Sequence, residues 1–489
     1  MVKMKDCTCL KLGILGIIGF TIIHIIAVYT NGINLFFDEA QYWNWAKNLD
    51  FGYYSKPPML AWAIFGTTSI CGDGEWCVRL SSPIFHMFTA LILMLLGKKM
   101  FGAKVGMWVG LSYITLPAVS FSALLISTDV SLLFFWAAGL FFLYDALKKN
   151  TWASWILVGL CFGLGMLSKY VMLFFPLSLA VFYLWNGGAK KAIGNVKIWT
   201  AFVLGFLVYA PNLYWNYAHK FASYLHTKDN AGLDGDLFHP LKCLEFIGSQ
   251  FGVVGPILFA VLIIMIWNIR KIKDFDFRFL LAFFVPLLAV ISLQALLIRA
   301  NANWAAAAYA SGVVAAVAWL WQKGHKRWLY ASVILHIVVV VILYTEALTV
   351  FGDSRLDIMR RAKGWDKAGE QVSLILAQNP DTLPLADERK VLTPFLYYIR
   401  PFPTKIYKWN PNGQVKDHYD LTTDMNEARG RDFILITKRN DAMGFLPYFA
   451  SAVHLKEIVI PVYDDYKIRL NVFRLNDFKG YGDGANENL

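Results

Sequence analysis

Residues 36–62 read FFDEAQYWNWAKNLDFGYYSKPPMLAW, and the side chains in this stretch define the chemistry open to the protein. Two adjacent acids, Asp38 and Glu39, stand among Phe36, Phe37, Tyr42, Trp43 and Trp45, and Lys56 follows with its backbone fixed by Pro57 and Pro58. A carboxylate can take a proton from an acceptor hydroxyl, and a lysine can neutralise a departing phosphate. The competing reading is an aromatic belt at a membrane surface with two solvated acids.

Three more places carry candidate groups. Asp129 in LLISTDVSLLFF begins an apolar stretch, where an acid is also what a helix cap looks like. Lys169 and Tyr170 in LSKYVML fall in a short turn between apolar stretches, where a lysine can simply snorkel to water. Arg299 and Asn303 in RANANW form a basic, amide-rich turn.

The elements that must position these groups are transmembrane helices. The chain has 489 residues, 57% of them hydrophobic and only 16% charged, which is too apolar for a soluble protein of this size. Apolar stretches long enough to cross about 30 Å of hydrocarbon recur up to residue 350. We count eleven, at approximately 11–30, 80–97, 105–121, 129–147, 153–168, 170–186, 196–214, 247–269, 279–298, 303–321 and 328–348. Assigning the breaks alternately to two sides places 18 basic residues on one face, including Lys98, Lys99, Lys148, Lys149, Arg270 and Lys326, against 8 in the opposite breaks.

The positive-inside rule makes the basic face cytoplasmic, so the amino terminus is expected inside and the carboxyl-terminal part outside. All four candidate places then fall on the outer face: Asp38, Glu39 and Lys56, then Asp129, then Lys169, then Arg299 and Asn303. The formal net charge of +12 is topogenic, because residues 1–349 carry 26 basic and 15 acidic residues while 350–489 carry 20 and 19. That distribution argues against a nucleic-acid partner. Gathered charges at one membrane surface suit a lipid phosphate, whose tail stays in the bilayer while its head group meets fixed charges.

Two outer segments are long, 31–79 and about 215–246. Beyond residue 350 the composition changes to that of a small outer α/β domain, with helical periodicity at 364–378 and 389–399 and strand-like runs at 404–409, 433–437, 457–461 and 468–475. The chain thus divides into a membrane domain, 1–349, and an outer α/β domain, 350–489, whose last residues from Gly480 read as frayed. The first apolar stretch has no cleavage signature before Asn31 and is read as a retained anchor. Cys71 and Cys77 lie outside, where a disulfide and two free thiols are both open. No phosphate-cradling or dinucleotide-binding glycine motif is present.

These residues resemble the GT-C superfamily of membrane glycosyltransferases that use lipid-phosphate sugar donors. The likeness is to the dolichyl-phosphate-mannose protein mannosyltransferase family, and within it to bacterial aminoarabinose transferases. It is carried by FDEAQYW with Asp38-Glu39, GYYSKPPMLAW with Lys56, STD with Asp129, LSKY with Lys169-Tyr170, PNLYWN from Pro211 to Asn216, and NANWAAAAY from Asn301 to Tyr309.

The resemblance implies a mainly α polytopic fold, surface helices in the first outer loop and a capping carboxyl-terminal domain. It implies that Asp38 is the base or acceptor-positioning acid, with Glu39 beside it, that Lys56 contacts the donor phosphate, and that Asp129 shapes the catalytic cavity. Lys169, Tyr170 and Arg299 are then near the donor, and Tyr54, Pro57 and Asn303 line the substrate pocket. The implied donor is a polyprenyl (undecaprenyl) phosphate sugar, the acceptor a lipid A, other envelope glycan or protein in the inner membrane or at its outer face, and the transfer a single inverting displacement.

In the aminoarabinose transferases the residue before the matching lysine is glutamate, implicated in metal binding. Here it is Ser55, so no metal site is assigned there; His226, His239 and Glu245 in the second long outer segment could supply divalent-metal ligands, against the commoner reading of solvated histidines. The competing function is a polytopic lipid or solute transporter. A carrier is expected to hold its ionisable groups near the bilayer midplane, whereas these lie at the outer ends of spans.

Overall fold

The protein is described from a computed structural model, which covers residues 6–231, 237–345, 355 and 357–482. The chain forms two compact units, one of residues up to Asn31 with Lys56–Thr345, the other of Gly32–Ser55 with residues from Glu346 on.

The helices in chain order are α1 (Asp6–Thr30), α2 (Phe37–Lys47), α3 (Met59–Cys71), α4 (Glu75–Arg79), α5 (Ser81–Phe101), α6 (Ala103–Ile114), α7 (Pro117–Ala123), α8 (Thr128–Lys149), α9 (Trp152–Met166) and α10 (Phe174–Trp185). They continue as α11 (Ala189–Ile193), α12 (Val196–Ala218), α13 (Ala222–Ala231), α14 (Pro240–Val254), α15 (Pro256–Trp267), α16 (Phe275–Leu297), α17 (Ala308–Gln322) and α18 (Lys326–Tyr344). Among the described residues six helices, α1, α4 with α5, α8, α12, α16 and α18, are long and apolar enough to cross a membrane, and α6 with α7, bent by 54°, passes the same test only when the pair is counted as one span. The remaining expected crossings are helical but shorter or broken. The stretch expected at 247–269 is two helices parted at Gly255, whose φ of +85° needs a residue without Cβ and is followed by Pro256.

The first unit packs as membrane helices do. A Cβ on Gly159 would stand 2.4 Å from the Ala201 carbonyl, and one on Gly163 would stand 2.6 Å from that of Gly205, so α9 and α12 cross on facing pairs of small residues four apart. Helix α17, from Ala308 to Ala318, is buried on every side, which is why it is apolar all round. At one end of the bundle Lys99 binds Asp145 (2.5 Å) and Lys148 faces Asp276 (3.6 Å). Asp129 and the pair Lys148-Lys149 sit at opposite ends of the 22-residue α8, about 30 Å apart at 1.5 Å per residue. A disulfide joins Cys71 to Cys77, between α3 and α4.

The second unit holds α2, α19 (Trp365–Gln378), α20 (Arg389–Tyr398), α21 (His418–Thr422) and strands β1 (Thr382–Ala386), β2 (Tyr407–Lys408), β3 (Asp432–Thr437), β4 (Phe449–Tyr463) and β5 (Tyr466–Phe478). The sheet order is β2-β1-β3-β5-β4, parallel through β2-β1-β3 and antiparallel through β3-β5-β4, with Leu385 opposite both Tyr407 and Leu435. Both expected helices are present, and the strand run expected at 404–409 shrinks to two residues. The strand TLPLA was not anticipated because Pro384 argues against a central strand. It is tolerated because β2 pairs only with Leu385 and Ala386, leaving β1 a free edge at Pro384. The segment 32–55 packs within this unit: the Leu35 N–H donates to the Tyr398 hydroxyl, Asn34 accepts from the Trp365 N–H, and Trp43 meets Tyr397 edge-on. Trp45 lies stacked on Tyr53 at 4.5 Å.

Candidate active site

In the first unit, three motifs distant in sequence converge on one carboxylate. Asp129 lies in the first turn of α8, where the helix dipole favours an anion, yet it does not cap the helix in the ordinary way. The cap position is Ser127, and both Asp129 oxygens are taken from elsewhere. Oδ1 accepts from Lys169 Nζ at 2.7 Å and Oδ2 accepts from Asn303 Nδ2 at 2.7 Å. The pair is mostly enclosed, with the Asp129 side chain 9% and the Lys169 side chain 18% exposed. An ammonium has three N–H donors, so Asp129 engages one and leaves two.

The elements around this pair fix its geometry. The Met59 N–H, at the start of α3 and just after Lys56-Pro57-Pro58, donates to the Leu167 carbonyl at 3.0 Å, which fastens the lysine-proline segment to the turn holding Lys169. Pro57 is buried and Lys56 half-buried. Gln250, fully buried on α14, donates to the Ala302 carbonyl and accepts from the Tyr309 hydroxyl, steadying the turn that presents Asn303. Nothing in the sequence marked Gln250, because its role depends on a turn fifty residues away. The Tyr170 ring packs on Tyr224 at 5.2 Å, and Tyr224 shares a hydrogen bond with Tyr209 on α12. Arg299 is exposed past the end of α16 and is not drawn into the Asp129 cluster.

In the second unit the acids of FDEAQYW differ sharply from each other. Glu39 is buried, 2% exposed, and its Oε2 accepts the Phe36 N–H at 3.0 Å, the reach-back bond of a helix start. The Asp38 side chain is 46% exposed, and its Oδ1 accepts from Arg389 at 2.8 Å. Arg389 also donates to Gln41 Oε1 at 2.8 Å and lies over the Phe37 ring at 4.9 Å. Burial alone would lower the Arg389 pKa, and the Asp38 carboxylate beside it raises it above its ordinary value. Tyr54 is buried in this unit with its hydroxyl donating to the Val415 carbonyl. Arg389 was not recognised from the sequence, as it stands 351 positions from its partner in a segment read only as a helix.

Among the described residues no three His, Cys, Asp or Glu side chains gather as metal ligands. Glu245 is exposed on α14, and the His239 backbone N–H is bound to the Leu296 carbonyl.

The chain is similar to several known proteins. The family model described as dolichyl-phosphate-mannose-protein mannosyltransferase matches residues 55–215. The lipid A galacturonosyltransferase RgtD of Rhizobium johnstonii is 34% identical over 416 residues, 83% of this chain and 87% of that protein. The lipopolysaccharide core galacturonosyltransferase RgtA of the same organism is 27% identical over 185 residues, 36% of each chain. The crystal structure of ArnT from Cupriavidus metallidurans bound to undecaprenyl phosphate matches with a TM-score of 0.61 at 14% identity, over 94% of this chain and 97% of that one, which shows a common fold. Identity of this degree along most of both chains settles the kinship: this chain belongs to the family of GT-C membrane glycosyltransferases that includes the lipid A galacturonosyltransferase of Rhizobium johnstonii.

Proposed function

We propose that the protein transfers a sugar from a polyprenyl-phosphate carrier to lipid A at the outer face of the inner membrane. The relative's name supports lipid A as acceptor and galacturonic acid as the sugar, and the shared fold with a protein crystallised with undecaprenyl phosphate supports the carrier. The outer face is supported by the basic residues at the far end of α8 and by the Cys71–Cys77 disulfide, which suits an oxidising compartment.

The observation that carries the mechanism is the unequal state of three acids. Both oxygens of Asp129 are occupied and Glu39 is buried at a helix start, whereas Asp38 is half open to its surroundings with Oδ1 alone engaged. Environment of this kind assigns roles to otherwise similar carboxylates. Asp38 is the base: it takes the proton of the acceptor hydroxyl as that oxygen attacks the anomeric carbon. The bond from that carbon to the carrier phosphate breaks with inversion, and polyprenyl phosphate leaves.

Asp129 and Asn303 hold Lys169 in place, and its two remaining donors, with Lys56, meet the developing phosphate charge, while the exposed Arg299, outside that cluster, attracts the anionic carrier from farther off. Tyr170 and Pro57 stand with the donor-phosphate groups of the first unit, and Tyr54 stands with Asp38 in the second. The test compares lipid A from cells with and without the protein by mass spectrometry, and repeats the comparison with Asp38→Asn and Lys56→Ala. We expect a hexuronosyl mass increment on lipid A that needs the wild-type chain and disappears in both variants at equal protein level. Lipid A of unchanged mass in the presence of the wild type would refute the acceptor, and full modification by both variants would refute the site.

A further inference from the structure

Asp38 is held by a residue from the far end of the chain, and the fold explains why that residue is there. Arg389 is the first residue of α20, immediately after the loop that leaves β1. In the parallel part of the sheet, β1 lies between β2 and β3. The connection leaving β1 runs through α20 to β2 on one side, while β3 lies on the other, so the carboxyl end of β1 is a topological switch point. Open α/β sheets place functional groups at such points.

The loops there are pinned by charge. Asp387 binds Arg439 just beyond β3 at 2.8 Å, and Glu388 binds Lys438 at 3.0 Å. The third member of the series, Arg389, turns to α2 instead, binding Asp38 and Gln41 at 2.8 Å each over the face of Phe37. A guanidinium fixed by a helix start, an amide and a ring has little freedom left, and it grips Asp38 by Oδ1, with no hydrogen bond to Oδ2 among the described residues.

We infer that Arg389 is a positioning residue for sugar transfer: the carboxyl-terminal α/β unit supplies it to hold the Asp38 carboxylate by one oxygen and aim the other at the acceptor hydroxyl. This rests on Asp38 being the base. A misaimed base slows the chemical step without weakening binding, whereas a merely structural arginine would act through stability and spare the turnover of the folded fraction.

The experiment uses the full-length protein in proteoliposomes with undecaprenyl-phosphate galacturonic acid and lipid A. Arg389→Ala is expected to lower kcat at least tenfold with KM for both substrates within twofold, and Arg389→Lys to recover part of that loss. Asp38→Glu shifts the carboxylate out of the grip, so Arg389→Ala added to Asp38→Glu is expected to slow the enzyme no further. Melting temperatures measured alongside are expected to stay near wild type in the lysine variant. A kcat for Arg389→Ala equal to wild type, or losses that multiply in the double variant, would overturn the positioning role while leaving Asp38 as the base. Activity in Asp38→Asn would overturn the base itself, and this inference with it.

Discussion

At the scale of single residues, the first unit's Asp129 illustrates how environment separates a structural from a chemical role. Its partner Lys169 is only 18% exposed, so removing the acid strands a cation that water reaches poorly. Losing one member of such a pair costs about 1–3 kcal/mol, more where burial is complete. Asp129→Asn is therefore expected to lower thermal stability and abolish transfer. In the double variant Asp129→Asn with Lys169→Met no charge is left stranded, so stability is expected to return while transfer does not. Thermal melts in detergent beside a transfer assay check this, and recovery of both together would mean that the pair is only structural. The sequence displayed Asp129 and Lys169 as candidates because acids and lysines are rare in apolar stretches. It did not show that they are partners, since pairing across 40 and 174 positions is a property of helix packing rather than of local pattern.

At the scale of elements, apolar length marked the bundle helices and periodicity marked α19 and α20, because each such stretch had to bury itself in lipid or protein, whereas the short α4, α11, α13 and α21 carried no such signal. It was less informative about where helices break: a glycine at positive φ followed by proline divided one expected span at Gly255. β1 was missed for the converse reason, as the proline that disqualifies a central strand sits where that strand is locally an edge. The crossing of α9 and α12 depends on glycines for contact distance. At Gly163 an added Cβ would meet the Gly205 carbonyl at 2.6 Å, whereas at Gly66 on α3 nothing stands within 4 Å. Forcing a large side chain into a close-packed crossing typically costs about 1–3 kcal/mol. Gly163→Leu is expected to lower the melting temperature and the yield of folded protein, and Gly66→Leu to leave both unchanged. Equal behaviour of the two variants in detergent melts would refute close packing at that crossing.

At the scale of the whole molecule, the unequal distribution of lysines and arginines and the order of motifs could be read directly, because the basic breaks and the FDE, KPP, STD, LSKY and NANW runs are local in sequence. The membership of 32–55 in the same compact unit as the carboxyl-terminal sheet was not, since it rests on contacts such as Leu35 with Tyr398 that join segments more than 350 positions apart. The orientation has a direct test. In a chain with Cys7, Cys9, Cys161 and Cys243 replaced by serine, leaving the Cys71–Cys77 disulfide in place, single cysteines go at Lys190 and Lys456, both exposed. Lys190 belongs to the basic breaks assigned to the cytoplasm, and Lys456 lies on β4 of the second unit. An impermeant maleimide applied to intact spheroplasts is expected to label the cysteine at 456 and not that at 190, and the pattern is expected to reverse in inverted vesicles. The opposite pattern would place the second unit, with Asp38 and Arg389, in the cytosol, and transfer at the outer face would have to be abandoned.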